Sequence, residues 1–147
     1  MKKEAGFTLL ELLAAIAIVA ILGAIAMPIY TDYVRKGQLG EAYANLADMS
    51  TRLEQFFQDN RTYAGACVDG TVAPLPGGGG GTSMKYFNYT CSSLTATTYK
   101  VTATGKGPVL NFVFTINQTG LKTTDNTGTS GWTTNATCWV RARNGSC

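Results

Sequence analysis

One uncharged apolar run near the N-terminus constrains this chain more than any other feature. The run extends from Leu12 to Ile29 and contains no Asp, Glu, Lys or Arg. A helix needs roughly 18 to 20 apolar residues to cross the hydrocarbon core of a bilayer. The run therefore predicts a membrane-spanning helix, and about 110 residues remain after it, which is enough for one compact head.

A single carboxylate, that of Glu11, stands directly before this run. An unpaired charge in the middle of a bilayer costs roughly 3 kcal/mol or more, so an acid in this place is expected to have a partner and a function. Residues four apart lie on one face of a helix, and Phe7 is four residues before Glu11. A free amine on residue 7 could neutralise the carboxylate, in the same chain or between neighbouring copies. The other interpretation is an interfacial carboxylate solvated by lipid headgroups.

A resemblance to the leader and first helix of the type IV pilins is carried by residues 2–12, which read KKEAGFTLLEL. The resemblance implies that a prepilin peptidase cleaves between Gly6 and Phe7 on the cytoplasmic side of the inner membrane and methylates the new amine of Phe7. It also implies that Glu11 attracts the N-terminal amine of an adjacent subunit and sets the register of assembly into an extracellular pilus. The expected domains are a leader at 1–6, a transmembrane and assembly helix at 7–30, and a pilin globular domain at 31–147.

Other interpretations of the N-terminus remain open at this point. The triplet from Ala24 to Ala26 resembles a signal-peptidase site, and cleavage there would release a soluble exported domain. The acid at the head of the run, the Gly6–Phe7 junction and the helical pattern beyond the triplet argue against that alternative. Minor pilins and the pseudopilins of type II secretion share the leader motif, so the motif does not separate them from a major fibre subunit that serves adhesion, twitching motility or DNA uptake.

Two helix breakers, Gly23 and Pro28, lie within the apolar run. Glycine costs about 1 kcal/mol in helix propensity, and proline removes a hydrogen-bond donor and crowds the preceding turn. The segment between them is therefore expected to be the weakest part of the helix. The resemblance implies that this segment unwinds when subunits pack into the fibre, and a plain proline kink is the alternative.

Beyond Pro28 the helical periodicity continues, with apolar residues at spacings of three and four that predict one face docked on a sheet. The helix is expected to end near Tyr63 to Gly65. A loop with Pro74, Pro76 and glycines from Gly77 to Gly81 follows, and we interpret it as a mobile surface connection rather than a phosphate cradle. The docked face comprises Leu39, Ala42, Tyr43, Leu46, Met49, Leu53, Phe56 and Phe57.

Strand-like alternation fills the rest of the head. One face is expected to hold Tyr99, Val101, Ala103, Leu110, Phe112, Phe114 and Ile116, and the intervening residues to face solvent. The predicted strands cover Lys85–Cys91, Thr97–Thr104, Val109–Asn117 and Leu121–Thr124, with a turn at Gly105–Pro108. The expected fold is α+β, with the long N-terminal helix packed on an antiparallel sheet of about four strands.

The chain contains four cysteines and no histidine. The missing histidine removes the commonest general base and metal ligand, so we expect no enzyme activity, no metal and no cofactor. The cysteines lie beyond the membrane segment, on the oxidising side, and are expected to form two disulfides with three possible connectivities. We favour Cys67–Cys91 and Cys138–Cys147, because terminal loops of the second kind occur in the type IV pilins.

The formal net charge is only +3, from 12 basic and 9 acidic residues, and does not by itself indicate a polyanion partner. The expected partners are copies of this chain or other pilins, prepilin peptidase, the assembly machinery and, before assembly, the inner membrane. Some pilins of naturally competent bacteria bind DNA through basic residues of the head. The candidates here are Lys100, Lys106, Lys122, Arg141 and Arg143, for which solvated strand faces are the alternative explanation.

Overall fold

The computed structural model describes residues 8–78, 80–81, 84–128 and 131–147, so the predicted cleavage site between Gly6 and Phe7 lies outside the described residues. One helix, α1 (Leu9–Asn60), precedes four strands. The strands are β1 (Phe87–Ser92), β2 (Lys100–Gly105), β3 (Val113–Asn117) and β4 (Lys122–Asn126). Internal contacts divide the chain into two units, Met1–Val34 and Arg35–Cys147.

The first unit contains the apolar part of α1, which is long and apolar enough to cross a membrane. Its large apolar side chains from Leu9 to Ile29 are 54% to 76% exposed, so the protein itself does not bury them. Pro28 lies inside the helix, and the hydroxyl of Thr31 donates a 2.9 Å hydrogen bond to the Pro28 carbonyl oxygen. The helix is continuous through Gly23 and Pro28, and unwinding of this segment in a fibre stays a prediction.

In the second unit, the later turns of α1 bury one stripe of side chains in the core of the head. The helix ends at Asn60, a few residues earlier than expected, because Arg61 takes a left-handed conformation with φ 57°. Tyr63 then folds back and stacks on Phe57, with ring centroids 4.7 Å apart. The buried stripe consists of Leu39, Ala42, Leu46, Met49, Leu53 and Phe56, as the periodicity predicts.

The sheet is antiparallel, and its strands are adjacent in chain order, β1-β2-β3-β4. The predicted fold class is therefore confirmed. The third strand begins later than expected, because residues Gly107–Val109 form a 3-10 turn. Leu110 was expected in the core and is 59% exposed. Thr115 was expected to face solvent and is buried, with its hydroxyl 2.6 Å from that of Thr123.

The two outer strands of the sheet are each held by a neighbouring segment. At β1, the Tyr89 amide donates to the Gly81 carbonyl at 2.8 Å, and the Glu41 carboxylate accepts from the Phe87 amide at 3.0 Å. Gly81 is buried, and a Cβ there would collide with the Tyr89 carbonyl. We expected the glycine run to be a mobile connection, but Gly81 at its end is held against β1. At β4, Thr124 and Asn135 form an isolated bridge.

The head contains two disulfides, Cys67–Cys91 and Cys138–Cys147, which is the pairing we favour from the sequence. The first ties the loop after α1 to β1, with Cα atoms 6.4 Å apart. The second closes the C-terminal segment, with Cα atoms 6.1 Å apart. The first disulfide therefore anchors the loop after α1 to the sheet at Cys91.

Candidate functional sites

The first candidate site is the N-terminal end of α1, where Thr8 and Glu11 bind each other reciprocally. The Thr8 hydroxyl oxygen accepts a 3.2 Å hydrogen bond from the Glu11 amide. The Glu11 Oε2 atom accepts from the Thr8 amide at 3.0 Å and from the Thr8 hydroxyl at 2.9 Å. This is a capping box, in which two otherwise unpaired amides at a helix start are satisfied by side chains.

The capping box changes the interpretation of Glu11. Its Oε2 atom is occupied within the chain, whereas Oε1 accepts no hydrogen bond from the residues that the structure describes. A carboxylate has about four lone-pair sites, so a second donor can bind without breaking the box. A threonine three positions before a glutamate is the sequence signature of a capping box. Helical periodicity does not reveal this signature, so we did not predict the capping box from the sequence.

The second candidate site lies on the head, where an aromatic pair brings two of the five predicted basic residues together. Tyr43 of α1 and Trp139 of the C-terminal segment stack with ring centroids 5.8 Å apart and planes 9° from parallel. The Lys122 ammonium lies 4.8 Å from the centre of the Trp139 ring, and the Arg141 guanidinium 5.5 Å from that of Tyr43. We call these four residues the cation–aromatic stack.

Hydrogen bonds fix both rings of the stack. The Trp139 indole donates to the Thr115 carbonyl at 2.8 Å, and the Tyr43 hydroxyl donates to the Val140 carbonyl at 2.5 Å. Burial raises the pKa of the Tyr43 hydroxyl, while the nearby Arg141 charge lowers it. The hydroxyl therefore remains a neutral donor at physiological pH, and the C-terminal segment is held against α1.

Lys36 adds a third positive charge beside the stack. It lines a depression of about 280 Å³ together with Gly40, Tyr43 and Arg141. Seven residues correspond to about two helical turns, so Lys36 and Tyr43 lie on the same side of α1. Lys36 is not among the basic residues predicted from the sequence, because helical periodicity does not indicate that Arg141 lies beside it. Lys36, Lys122 and Arg141 together form what we call the cationic edge.

The remaining predicted basic residues lie on other segments of the head. Lys100 forms a 3.5 Å ion pair with Asp125. The Lys106 amide donates to the Tyr86 carbonyl after β2, and Arg143 lies beside Gly131 and accepts from the Thr133 amide through its carbonyl. Of the five candidates, Lys122 and Arg141 lie against the rings of the stack.

Comparisons with known proteins match both halves of the chain. The family described as "Type IV minor pilin ComP, DNA uptake sequence receptor" matches residues 28–112, and the family described as "Prokaryotic N-terminal methylation motif" matches residues 1–27. The chain is similar to the fimbrial protein EcpC of Eikenella corrodens, with 32% identity over 130 residues that cover 88% of this chain and 80% of that protein.

Two further similarities concern a major pilin and a solved fold. A type IV major fimbrial protein FimA of Dichelobacter nodosus is 32% identical over 78 residues, which cover 53% of this chain and 50% of that protein. The crystal structure of the non-core minor pilin PilV of Neisseria meningitidis has a similar fold, with a TM-score of 0.53 and 19% identity over 67% of this chain and 94% of that one. The chain therefore belongs to the type IV pilins, in the family of the minor pilin ComP, and is a subunit of a type IV pilus.

Proposed function

We propose that this chain is a minor pilin that is made as a prepilin in the bacterial inner membrane and is processed by prepilin peptidase between Gly6 and Phe7. Methylation of Phe7 follows, and the pilus machinery assembles the mature subunit with other pilins. The match to the methylation-motif family over residues 1–27 supports this proposal. The capping box also supports the proposal, because it positions the Glu11 carboxylate, with one available oxygen, about one helical turn from the new N-terminus.

The mature chain is expected to begin with N-methylated Phe7. Intact-mass and peptide mass spectrometry of protein from sheared filaments measures this directly, and a Gly6→Ala variant that stays unprocessed in membranes is the matched control. A mature N-terminus at Met27 would instead show that the Ala24–Ala26 triplet is the cleavage site, and that the head is exported without its apolar helix.

The division into a leader, an apolar helix at 7–30 and a globular domain at 31–147 remains part of this proposal. Outside the bilayer, exposure of the apolar helices to water is unfavourable, so assembly is expected to pack the helices of neighbouring subunits together. Gly23 and Pro28 weaken the backbone hydrogen bonding of α1 in that region. We assign to this segment the unwinding that accompanies packing.

A DNA-binding role on the head is the second part of the proposal. The family to which the chain belongs is described as a DNA uptake sequence receptor. The cationic edge supports this role, because Lys36 and Arg141 line one depression with Tyr43, and Lys122 and Arg141 lie against the two stacked rings. Phosphate contacts supply most of the sequence-independent affinity of proteins for DNA and make that affinity depend on salt.

The geometry of the stack favours phosphate contacts over base stacking. Lys122 covers a face of the Trp139 ring, and the other ring, that of Tyr43, is stacked against Trp139 and approached by Arg141. Bases stack on open aromatic faces, which this arrangement does not provide. The rings therefore hold the cations in place, and the cations bind the DNA backbone.

Replacing Lys122 or Arg141 by Ala is expected to weaken DNA binding and to reduce the slope of log affinity against log salt by about 1 for each lost phosphate contact. Fluorescence anisotropy of a labelled duplex with the mature protein in detergent, over a series of salt concentrations, measures both quantities. Lys100→Ala is the matched control, because Lys100 is paired with Asp125 away from the stack. Equal slopes for all three variants would contradict the assignment.

A further inference from the structure

One buried hydroxyl connects the outer strand β4 to the segment that carries Trp139 and Arg141. It belongs to Thr124, whose side chain is 1% exposed. The Thr124 hydroxyl donates a 2.9 Å hydrogen bond to the Cys138 carbonyl oxygen and accepts a 3.0 Å hydrogen bond from the Val140 amide. The donor of this hydroxyl and one of its acceptor sites are therefore both used.

These two hydrogen bonds reach both sides of Trp139. Cys138 precedes this residue and Val140 follows it, so a single side chain fixes the backbone before and after the indole. The backbone of Thr124 makes a further pair of hydrogen bonds. Its amide donates to the Asn135 carbonyl at 2.7 Å, and its carbonyl accepts from the Asn135 amide at 3.1 Å. Thr124 thus joins β4 to the C-terminal segment through both its backbone and its side chain.

The face of β4 on which Thr124 lies is also the face of Lys122. Residues two apart on a strand lie on the same face of a sheet, and the residue between them, Thr123, lies on the other face. The contacts agree with this alternation, because Lys122 approaches the Trp139 ring while the Thr123 hydroxyl lies 2.6 Å from that of Thr115. One strand therefore carries both a cation of the stack and the hydroxyl that holds the segment of Trp139.

The position of the Arg141 charge depends on this segment. The Arg141 side chain lines two depressions, one of about 280 Å³ with Lys36 and one of about 170 Å³ with Lys122. Arg141 itself is exposed, whereas Val140, directly before it, is fully buried. A shift of the backbone at Val140 would therefore move the Arg141 charge relative to both lysines and disturb the arrangement that we assign to phosphate binding.

We propose that Thr124 is a positioning residue of the DNA site, which holds Arg141 in place without itself touching DNA. This inference rests on the proposed DNA-binding function. A buried amide or carbonyl that loses its partner is unfavourable, and the chain relieves the loss by moving towards water or another partner. Without the hydroxyl, the Val140 amide and the Cys138 carbonyl both lose this partner, so the segment is expected to shift.

Thr124→Val keeps the shape of the side chain and removes the hydroxyl. It is expected to weaken duplex binding about tenfold, because two buried backbone groups lose their partner. It should also reduce the slope of log affinity against log salt by about 1, since Arg141 no longer meets its phosphate. Thr124→Ser retains the hydroxyl and is expected to bind like the unmodified protein. Thr123→Val, the same change on the opposite face of β4, is the matched control and should leave both quantities unchanged. Fluorescence anisotropy of a labelled duplex with the mature protein in detergent measures both.

A double-variant cycle shows whether Thr124 acts through Arg141. Thr124→Val combined with Arg141→Ala is expected to bind no more weakly than Arg141→Ala alone. Additive losses would overturn the inference, as would an unchanged salt slope for Thr124→Val or an equal loss for Thr123→Val. Circular dichroism verifies that each variant is folded, and Thr124→Ala provides a second removal of the hydroxyl if Thr124→Val does not fold.

The emission of Trp139 separates this inference from the proposed function. The chain has two tryptophans, so in a Trp132→Phe background the tryptophan emission comes from Trp139 alone. Thr124→Val is expected to shift this emission to longer wavelength, because the ring becomes more exposed to water, and Thr124→Ser is expected to leave it unchanged. If the unmodified protein binds no DNA and the emission shifts, the DNA-binding function fails and the positioning of the stack by Thr124 stands. If the protein binds DNA and the emission does not shift, the positioning is overturned and the DNA-binding function stands.

Discussion

A Glu11→Ala variant is expected to insert into the membrane normally and to be at least about tenfold depleted from filaments. Insertion depends on the apolar run, which the substitution leaves intact. Under the proposed function, register in the fibre depends on the Glu11 carboxylate meeting the amine of an adjacent subunit, and a hydrogen bond to a charged group is worth about 1.5 to 3 kcal/mol. Membrane fractionation and quantification of this chain in sheared filaments measure the two effects separately.

The capping box supplies two matched controls for this experiment. Glutamine suits the third helical position of a capping box as well as glutamate does, so Glu11→Gln retains the cap and removes the charge. Thr8→Val removes the cap and retains the charge. We expect Glu11→Gln to fail in assembly and Thr8→Val to assemble. The reverse result would show that Glu11 acts by capping its own helix, and normal filaments from Glu11→Ala would show that the carboxylate is merely interfacial.

Removing the disulfide between Cys67 and Cys91 is expected to destabilise the head more than removing the one between Cys138 and Cys147. The cysteines are 24 and 9 residues apart in sequence, and the chain-entropy relation gives roughly 3.5 and roughly 2.7 kcal/mol for loops of these sizes. The measured losses should fall within the range of about 2 to 5 kcal/mol that is usual for small secreted domains.

Double Cys→Ala variants of each pair keep the comparison free of unpaired thiols. Urea unfolding of the mature protein in detergent, followed by the fluorescence of Trp132 and Trp139, gives the free energy of unfolding. Loss of the second disulfide should also weaken DNA binding, because it frees the segment that carries Trp139 and Arg141. Free thiols in the native protein, or the same unfolding midpoint for all variants, would contradict these expectations.

The architecture could be predicted from the sequence because it follows from periodicity. Spacings of three and four identified every residue that α1 buries in the head, and alternation located the four strands to within a few residues. The error at Leu110 arose where a local turn competed with alternation. Pro108 and the left-handed Asn111, with φ 73°, divert the chain between β2 and β3, so that Leu110 leaves the core.

The candidate sites were less predictable, because they depend on contacts between distant segments. Nothing in the spacing of Tyr43 and Trp139 indicates that their rings stack, and only the stack brings Lys122 and Arg141 together. The basic residues looked scattered for that reason.

The hydrogen bonds at the two edges of the sheet limit the addition of strands from other molecules, which is how amyloid grows. An outer strand with open backbone groups is a template for the addition of strands from other molecules. Here β1 donates to Gly81 and lies beside a disulfide, while β4 exchanges hydrogen bonds with Asn135. With hydrogen bonds already made at both edges, neighbouring heads have less open backbone to offer one another, so the proposed packing of the apolar helices meets less competition from strand addition.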